Sequence, residues 1–308
     1  MKTHHRPFVY ESSDFKRMCA LLVRDNASKR ESFIWHIARL IDWKYNLCNF
    51  KRRFPGNYAA AAHLWFNYCD ELVGFVISEE FDEQFDIILL DEYMHLYPDM
   101  LAWAHAEWGT QYRQLITSAV ETHQKRIIAL EQAGYQRTGE VEMTRIFDTS
   151  HFRDIPHPPA PLRFESMAQN KNYANQSILR RSAWPNPHND SQTDKAIGDY
   201  LRTSPIYNAH FDFVLVDESG AHLSGCEAFI DYANNTAEIE RVCTHVDHYN
   251  KGYSKMTLRA CLRALHEHHI GTAYLSGGYD KTIYLYGTLG HVNEFATFFY
   301  RLDSGEQQ

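Results

Sequence analysis

Two glutamates and one short turn carry the residue types with the most chemical reach. Glu238 and Glu240 stand two apart in Ala237-Glu238-Ile239-Glu240-Arg241-Val242-Cys243-Thr244. The run reads as a β-strand, in which residues i and i+2 share a face, so both carboxylates lie on one surface and Ile239 on the other. Such a pair either works on protons or rests as a solvated patch. The turn is Asn250-Lys251-Gly252-Tyr253-Ser254. Glycine has no side chain and asparagine tolerates positive φ, so backbone amides can converge there. Converging amides at a helix N-terminus bind phosphate oxygens, and Lys251 adds a cation nearby. With one glycine, the turn reads equally as an ordinary strand-to-helix connection.

These residues need a strand before the turn and a helix after it. Leu258, Cys261, Leu262 and Leu265 form one apolar stripe at helical spacing, with Arg259, Arg263 and Glu267 elsewhere. The spacing predicts a helix to about His269, with Gly271 as its stop. The clearest change in composition is DTSHFRDIPHPPAP, Asp148 to Pro161, whose prolines oppose both helix and central strand. It divides the chain into a domain over 1–150, a linker over 151–161 and a domain over 162–308.

On either side the order of elements repeats: an opening helical region, two adjacent strands, a third strand, a helix, a strand, a helix and a closing strand. At an offset of about 151, Leu72-Val73-Gly74-Phe75 falls on Leu223-Ser224-Gly225-Cys226, and Asp86 to Leu90 on Ala237 to Arg241. At 156, Ala129-Leu130-Glu131-Gln132-Ala133-Gly134-Tyr135 falls on Leu285-Tyr286-Gly287-Thr288-Leu289-Gly290-His291, each a helix end with a glycine cap. Opposite Glu238 and Glu240 the first half has Ile87 and Leu89, and opposite Gly252 it has Leu101. The first half therefore reads as structurally retained and chemically empty.

Composition bounds the partners. The 308 residues include 31 Lys plus Arg against 39 Asp plus Glu, a net charge of −8 with histidine neutral. An excess of acid argues against broad nucleic-acid or anionic-membrane binding and suits a small amine ligand. With 44% hydrophobic and 23% charged residues, the chain can bury two ordinary cores. Cys19, Cys48, Cys69, Cys226, Cys243 and Cys261 are too widely spaced for a CxxC pair, and are expected to be reduced thiols. No apolar run approaches the roughly 20 residues of a membrane span, and the N-terminus lacks a signal-like apolar core, so a cytoplasmic protein is expected. Neither His245 with Asp247 and His248, nor His266 with His268 and His269, has diagnostic ligand spacing, so no metal is expected. The acidic run Glu79 to Asp86 reads as a solvated loop, and Trp184-Pro185-Asn186-Pro187 as a specially shaped loop.

Glu238 to Ser254 resembles motif A of the GCN5-related N-acetyltransferases (GNAT), whose pyrophosphate loop reads Q/R-x-x-G-x-G/A. Here it stands as Tyr249-Asn250-Lys251-Gly252-Tyr253-Ser254, with tyrosine replacing the usual Arg or Gln. About 35 residues downstream, Leu285-Tyr286-Gly287-Thr288-Leu289-Gly290 resembles the family's LYxxxG helix end. The asparagine common seven residues before that tyrosine is Tyr279 here. The resemblance covers roughly Leu162 to Asp303 and, more faintly, Phe33 to Asp148. It implies an α/β (α+β) chain of two tandem GNAT-like domains, each a mixed, mostly antiparallel sheet flanked by helices, with a degenerate N-terminal copy.

The resemblance further implies acetyl-CoA as cosubstrate, bound through Tyr249, Asn250, Lys251, Gly252, Tyr253 and Ser254 and by backbone N–H groups over Val242, Cys243 and Thr244. An alkylammonium must lose a proton before it attacks, and Glu240 or Glu238 is the implied base, Glu240 favoured as nearer the loop. Tyr286 falls on the tyrosine that protonates the departing thiolate, or is an aromatic core residue. Cys243 reads as a packing residue rather than a nucleophile. The leading reading is an N-acetyltransferase acting on a primary amine of a small molecule in a ternary complex. A non-catalytic acyl-CoA sensor or scaffold and an aminoacyl transferase using charged tRNA stay open beside it, the last disfavoured by the net charge.

Overall fold

A computed structural model describes residues 3–45, 60–155, 157–185 and 191–303. Cys48, Asn186 and Pro187 lie outside the described residues. The first half runs β1 (His4–Pro7), α1 (Asp14–Ser28), α2 (Ile37–Tyr45), β2 (Ala62–Phe66), β3 (Leu72–Ile77), β4 (Asp86–Leu89), a 3-10 turn at Asp91–Leu96, α3 (Tyr97–Trp108), β5 (Gln114–Val120), α4 (Gln124–Gln132) and β6 (Gln136–Asp148). The second runs β7 (Arg163–Ser166), α5 (Tyr173–Ala183), α6 (Ser191–Leu201), β8 (Asp212–Val216), β9 (His222–Asp231), β10 (Thr236–Thr244), a 3-10 turn at Val246–His248, α7 (Tyr253–Glu267), β11 (Thr272–Gly277), α8 (Asp280–Gly287) and β12 (Asn293–Asp303). The internal repeat is thus carried element by element. Gly134 and Gly290, matched at an offset of 156, both take left-handed φ, +88° and +90°, after α4 and α8. The opening strands β1 and β7 were invisible to apolar periodicity because His-His-Arg-Pro and Arg-Phe-Glu-Ser carry almost no apolar signal.

The chain divides into two compact units, one holding the described residues up to Met143 together with those from Phe295 on, the other Thr144–Glu294. This differs from a division within the proline-bearing stretch. The reason is strand pairing: β12 runs antiparallel to β5 from Thr297↔Val120 to Asp303↔Gln114, which takes the last strand of the second half into the first unit. The Thr144–Asp148 end of β6 belongs to the second unit.

In the first unit, β1-β2-β3-β4 form an antiparallel sheet. Ile87 and Leu89 join Trp65, Val76, Met100 and Leu115 in its core. β4 and β5 form no continuous ladder: the bridge Gln84↔Ile116 lies just before β4, and Ser118 Oγ donates to Asp86 Oδ1. The gap is filled from within. Arg126 of α4, 3% exposed, donates to the carbonyls of Ile87 at 2.6 Å and Leu89 at 3.3 Å, with its guanidinium 5.2 Å from the Tyr97 ring centroid. Lys29 also reaches Leu89 O at 3.2 Å and is paired with Asp25 at 2.6 Å and Asp91 at 2.9 Å. Leu101 lies inside α3 rather than opposite Gly252, because α3 and α7 start at Tyr97 and Tyr253, an offset of 156. At that offset Leu96 and His95 stand where the second half has Gly252 and Lys251, in a turn headed by Asp91 and Glu92. The acidic run is only partly solvated: Glu79 pairs with Arg39 at 2.6 Å, and Asp86 is buried, accepting from Trp35 Nε1 at 2.8 Å.

The second unit has strand order β6-β11-β10-β9-β8-β7. The pairs β7–β8, β8–β9 and β9–β10 are antiparallel and β10–β11 is parallel. Leu258, Cys261, Leu262 and Leu265 of α7 are fully buried against Ala228, Ile230, Ala237 and Ile239, as their spacing required. The stop of α7 is His269 at φ +63°, not Gly271, which lies two residues beyond and shows no positive φ. The backbone is held in that conformation as the His269 N–H donates to His266 O and the N–H of the buried Ile270 donates to Leu265 O, each at 2.9 Å.

Three buried histidines, His36, His63 and His222, and the half-buried His123 are kept neutral, with a consequence for acid stability. Burial pushes His36 and His123 down to about 3, and His63 and His222 down to about 4. Each ordinarily titrates near 6.5, so the unfolded chain binds the extra protons. Their contribution is fully present above pH 6.5 and is lost as pH falls through about 4 for His63 and His222 and about 3 for His36 and His123. Urea unfolding at pH 7, 6 and 5 is expected to show a falling midpoint; a flat midpoint would contradict their burial.

Candidate active site

The site begins where two parallel strands separate. β10 and β11 pair from Thr236↔Thr272 to Glu238↔Tyr274, after which β10 continues to Thr244 and β11 to Gly277. On its other edge β10 pairs regularly with β9 as far as Glu240↔Glu227, then resumes at Cys243↔Gly225 with one extra residue. That extra residue is a β-bulge, which bends the strand and leaves backbone groups out of the ladder. Arg241, at φ +51°, makes it. Glu238 and Glu240 share one sheet face, as alternation requires, while Ala237 and Ile239 pack on α7. Glu238, 4% exposed, sits within the paired segment, whereas Glu240 is half-buried beyond the last parallel pair.

The turn after β10 has the conformation its residues permit. Asn250 takes φ +62° and Gly252 φ +78°, and Gly252 is the N-cap of α7 with no side chain capping the helix. The first amides of α7 therefore keep donors for an outside acceptor. A Cβ built on Gly252 meets nothing within 4 Å, so space lies over the turn. Lys251 is exposed with Nζ 3.1 Å from His248 Nδ1. Tyr253 stacks with His248, and Tyr249 is exposed. Ser254 has its hydroxyl 2.6 Å from Thr244 Oγ1, tying the first turn of α7 to the end of β10. Donor set, charge and space fit a pyrophosphate.

Val242 is half-buried at the bulge; Cys243 and Thr244 are buried after it. Cys243 packs with Met167, Leu179 and Val214, and burial pushes its thiol up to about 12. It is a packing side chain, not a thiolate. Tyr286 of α8 lies in the core with Ile239 and Leu258, and a Cβ on Gly277 would stand 3.1 Å from its Cε2. Burial first, and the Glu240 charge second, raise its phenol well above 10, so it stays protonated at all physiological pH. Tyr279 is exposed at the N-cap of α8. Trp184 is exposed, and the Val246 N–H donates to Ser182 Oγ at 3.0 Å.

Sequence reasoning missed the carboxylate directly across from Glu240. Glu227 is 1% exposed, and its Oε2 accepts from Arg180 of α5 at 3.0 Å and from Arg241 at 2.9 Å. Beside it on β8, Asp212 accepts from Gln176 at 2.6 Å and Tyr207 at 3.0 Å. Burial, with the Glu227 charge, pushes Asp212 up to about 6. A signal existed: Glu227 interrupts the otherwise small and apolar run Gly225-Cys226-Glu227-Ala228-Phe229, where an acid must be partnered. Among the described residues no group of His, Cys, Asp and Glu is placed to hold a metal ion.

No family model matches the chain, and no curated protein does. Solved structures match over its whole length. A tandem GNAT protein from the clavulanic acid biosynthesis pathway, solved without AcCoA, is similar with a TM-score of 0.65 at 11% identity, covering 100% of both chains. A GCN5-related N-acetyltransferase from Sphaerobacter thermophilus gives 0.61 at 13% identity over 98% of this chain and 96% of its own. An acetyltransferase of the GNAT family from Colwellia psychrerythraea gives 0.58 at 11% identity over 97% and 99%. With the repeated element order, these likenesses show that the chain has the tandem GNAT fold.

Proposed function

We propose that this protein is an N-acetyltransferase whose second unit transfers the acetyl group of acetyl-CoA to a primary amine of a small molecule. The observation that carries this reading is the convergence, in one unit, of separating parallel strands, a bulge and a left-handed turn heading α7. The pyrophosphate lies on the turn from Tyr249 to Ser254, held by amides and by Lys251. The pantetheine arm and thioester follow the freed edge of β10 over Val242, Cys243 and Thr244, where an N–H polarises the carbonyl as charge develops. Among the described residues of the first unit, Arg126 and Lys29 instead donate to the corresponding strand carbonyls of Ile87 and Leu89.

In the ternary complex the ammonium gives a proton to Glu240, directly or through water. The freed nitrogen attacks the thioester carbon and the C–N bond forms; as the tetrahedral intermediate collapses the C–S bond breaks, and the second proton of the nitrogen passes to the departing sulfur, giving the amide and coenzyme A. Glu240 serves better than Glu238, which is buried in the paired stretch. Tyr286 donates to the departing sulfur. Because its phenol is held above its ordinary range, a hydrogen bond to the thiolate is its stronger contribution. Tyr286→Phe is expected to lower turnover about tenfold or more with acetyl-CoA affinity within twofold; unchanged turnover would remove this role. The reading itself is tested by calorimetry with acetyl-CoA, followed by coenzyme A release over a panel of small primary amines. Binding with release supports the enzyme; binding without release over a broad panel favours a sensor, and absence of binding rejects both.

A further inference from the structure

Arg241 is the one residue of the β10 bulge held at positive φ, an uncommon conformation for a long side chain. A strained backbone persists only where its surroundings over-determine it. Here they do. Glu227 Oε2 accepts from Arg241 at 2.9 Å, and the Arg241 guanidinium carbon stands 5.0 Å from the centroid of the Phe229 ring. Glu227 and Phe229 are i and i+2 on β9 and share the face on which Arg241 lies. Glu227 cannot swing away, since Arg180 of α5 donates to the same oxygen at 3.0 Å and also approaches Asp212 at 3.5 Å. Asp212 is in turn fixed by Gln176 and Tyr207.

The first unit supplies an internal comparison. There β3 and β4 pair without a shift from Gly74↔Leu89 to Ile77↔Asp86, and Val76 and Ile87 stand opposite each other in a dry core. The first-unit pairing has no bulge, and its buried carboxylate, Asp86, is hydrogen-bonded to Trp35 and Ser118, whereas in the second unit the bulge and the buried Glu227 meet through Arg241. The bulge begins just after Glu240 and ends at Cys243, so its shape sets both the aim of that carboxylate and the direction of the amides that follow.

We propose that Glu227 is a positioning residue for acyl transfer: it clasps Arg241 in the left-handed conformation that makes the bulge, and thereby fixes Glu240 and the amides of Val242, Cys243 and Thr244. The chemical part rests on the acetyltransferase reading; the clasp itself does not. Amide hydrogen exchange by NMR and acetyl-CoA titration are compared on the full chain for wild type, Arg241→Gly, Arg241→Lys and Glu227→Gln. Glycine accepts positive φ freely, so Arg241→Gly removes the clasp without adding strain and is the variant expected to fold. Exchange at residues 240–244 is expected to rise tenfold or more in Arg241→Gly and Glu227→Gln, with Ala273 to Leu275 and Leu258 to Leu265 unchanged. A merely structural loss would speed all of these together. The acetyl-CoA dissociation constant is expected to rise about tenfold in Arg241→Gly and less in Arg241→Lys, which keeps a cation for Glu227. Exchange and affinity in Arg241→Gly within twofold of wild type would overturn the proposal. If the wild type binds no acetyl-CoA, the acetyltransferase reading falls and the exchange comparison alone decides the clasp.

Discussion

Replacing Gly252 with glutamate is expected to weaken acetyl-CoA binding at least a hundredfold. Two effects add. Any side chain at φ +78° carries the left-handed penalty of about 1–2 kcal/mol for an L-residue. Glutamate then projects a carboxylate into the open space over the turn, where it meets the charge of the pyrophosphate and takes up amides of α7 itself. Gly252→Ala separates the two. A Cβ there meets nothing, so alanine pays only the backbone term and should weaken binding about tenfold or less. Equal losses in the two variants would place the phosphate elsewhere and make the effect one of local folding.

The second large effect is expected at Glu240. Glu240→Gln keeps the size of the side chain but cannot accept a proton, so turnover should fall by about 10² to 10⁴ while acetyl-CoA affinity stays within twofold. The rate of the variant should rise with pH as the amine deprotonates in solution, since the missing base is then not needed. Glu238→Gln is the control. Glu238 lies among paired strands at 4% exposure, so its replacement should cost stability before it costs proton transfer. A turnover collapse in Glu238→Gln with normal stability, and none in Glu240→Gln, would reverse the assignment.

What the sequence made legible follows from what each signal reports. Apolar spacing reports burial, so α7 and its stripe at Leu258, Cys261, Leu262 and Leu265 were readable, as was the alternation that puts Glu238 and Glu240 together. Glycine and asparagine report backbone conformation, and Asn250, Gly252, Gly134 and Gly290 all take the positive φ that their identity permits. His269 and Arg241 do the same without any such identity, and neither could be read, because tertiary contacts impose their conformations. The exchange of the last strand was equally hidden: β12 pairs with β5 through backbone bonds that leave no mark on composition. An ungapped offset of 151 also misplaced Leu101, since β10 has nine residues against four in β4, which shifts the following helix. Glu227 was passed over because a lone acid in an apolar strand resembles a solvated edge until its two arginines, from α5 and from the bulge, are seen around it.

In the first unit, described residues fill the positions that match the candidate site of the second. Ile87 and Leu89 extend the core, Arg126 and Lys29 cap the strand carbonyls, and α3 carries Asp99 in its first turn. Negative charge at that N-terminus suits the helix dipole and opposes an anionic ligand. We propose the acetyl-CoA chemistry for the second unit. Calorimetric titration of acetyl-CoA into the full chain tests that claim most directly. The expected result is saturation at one equivalent per chain in the wild type and none in Gly252→Glu; two equivalents, no heat of binding, or full binding by Gly252→Glu would contradict it.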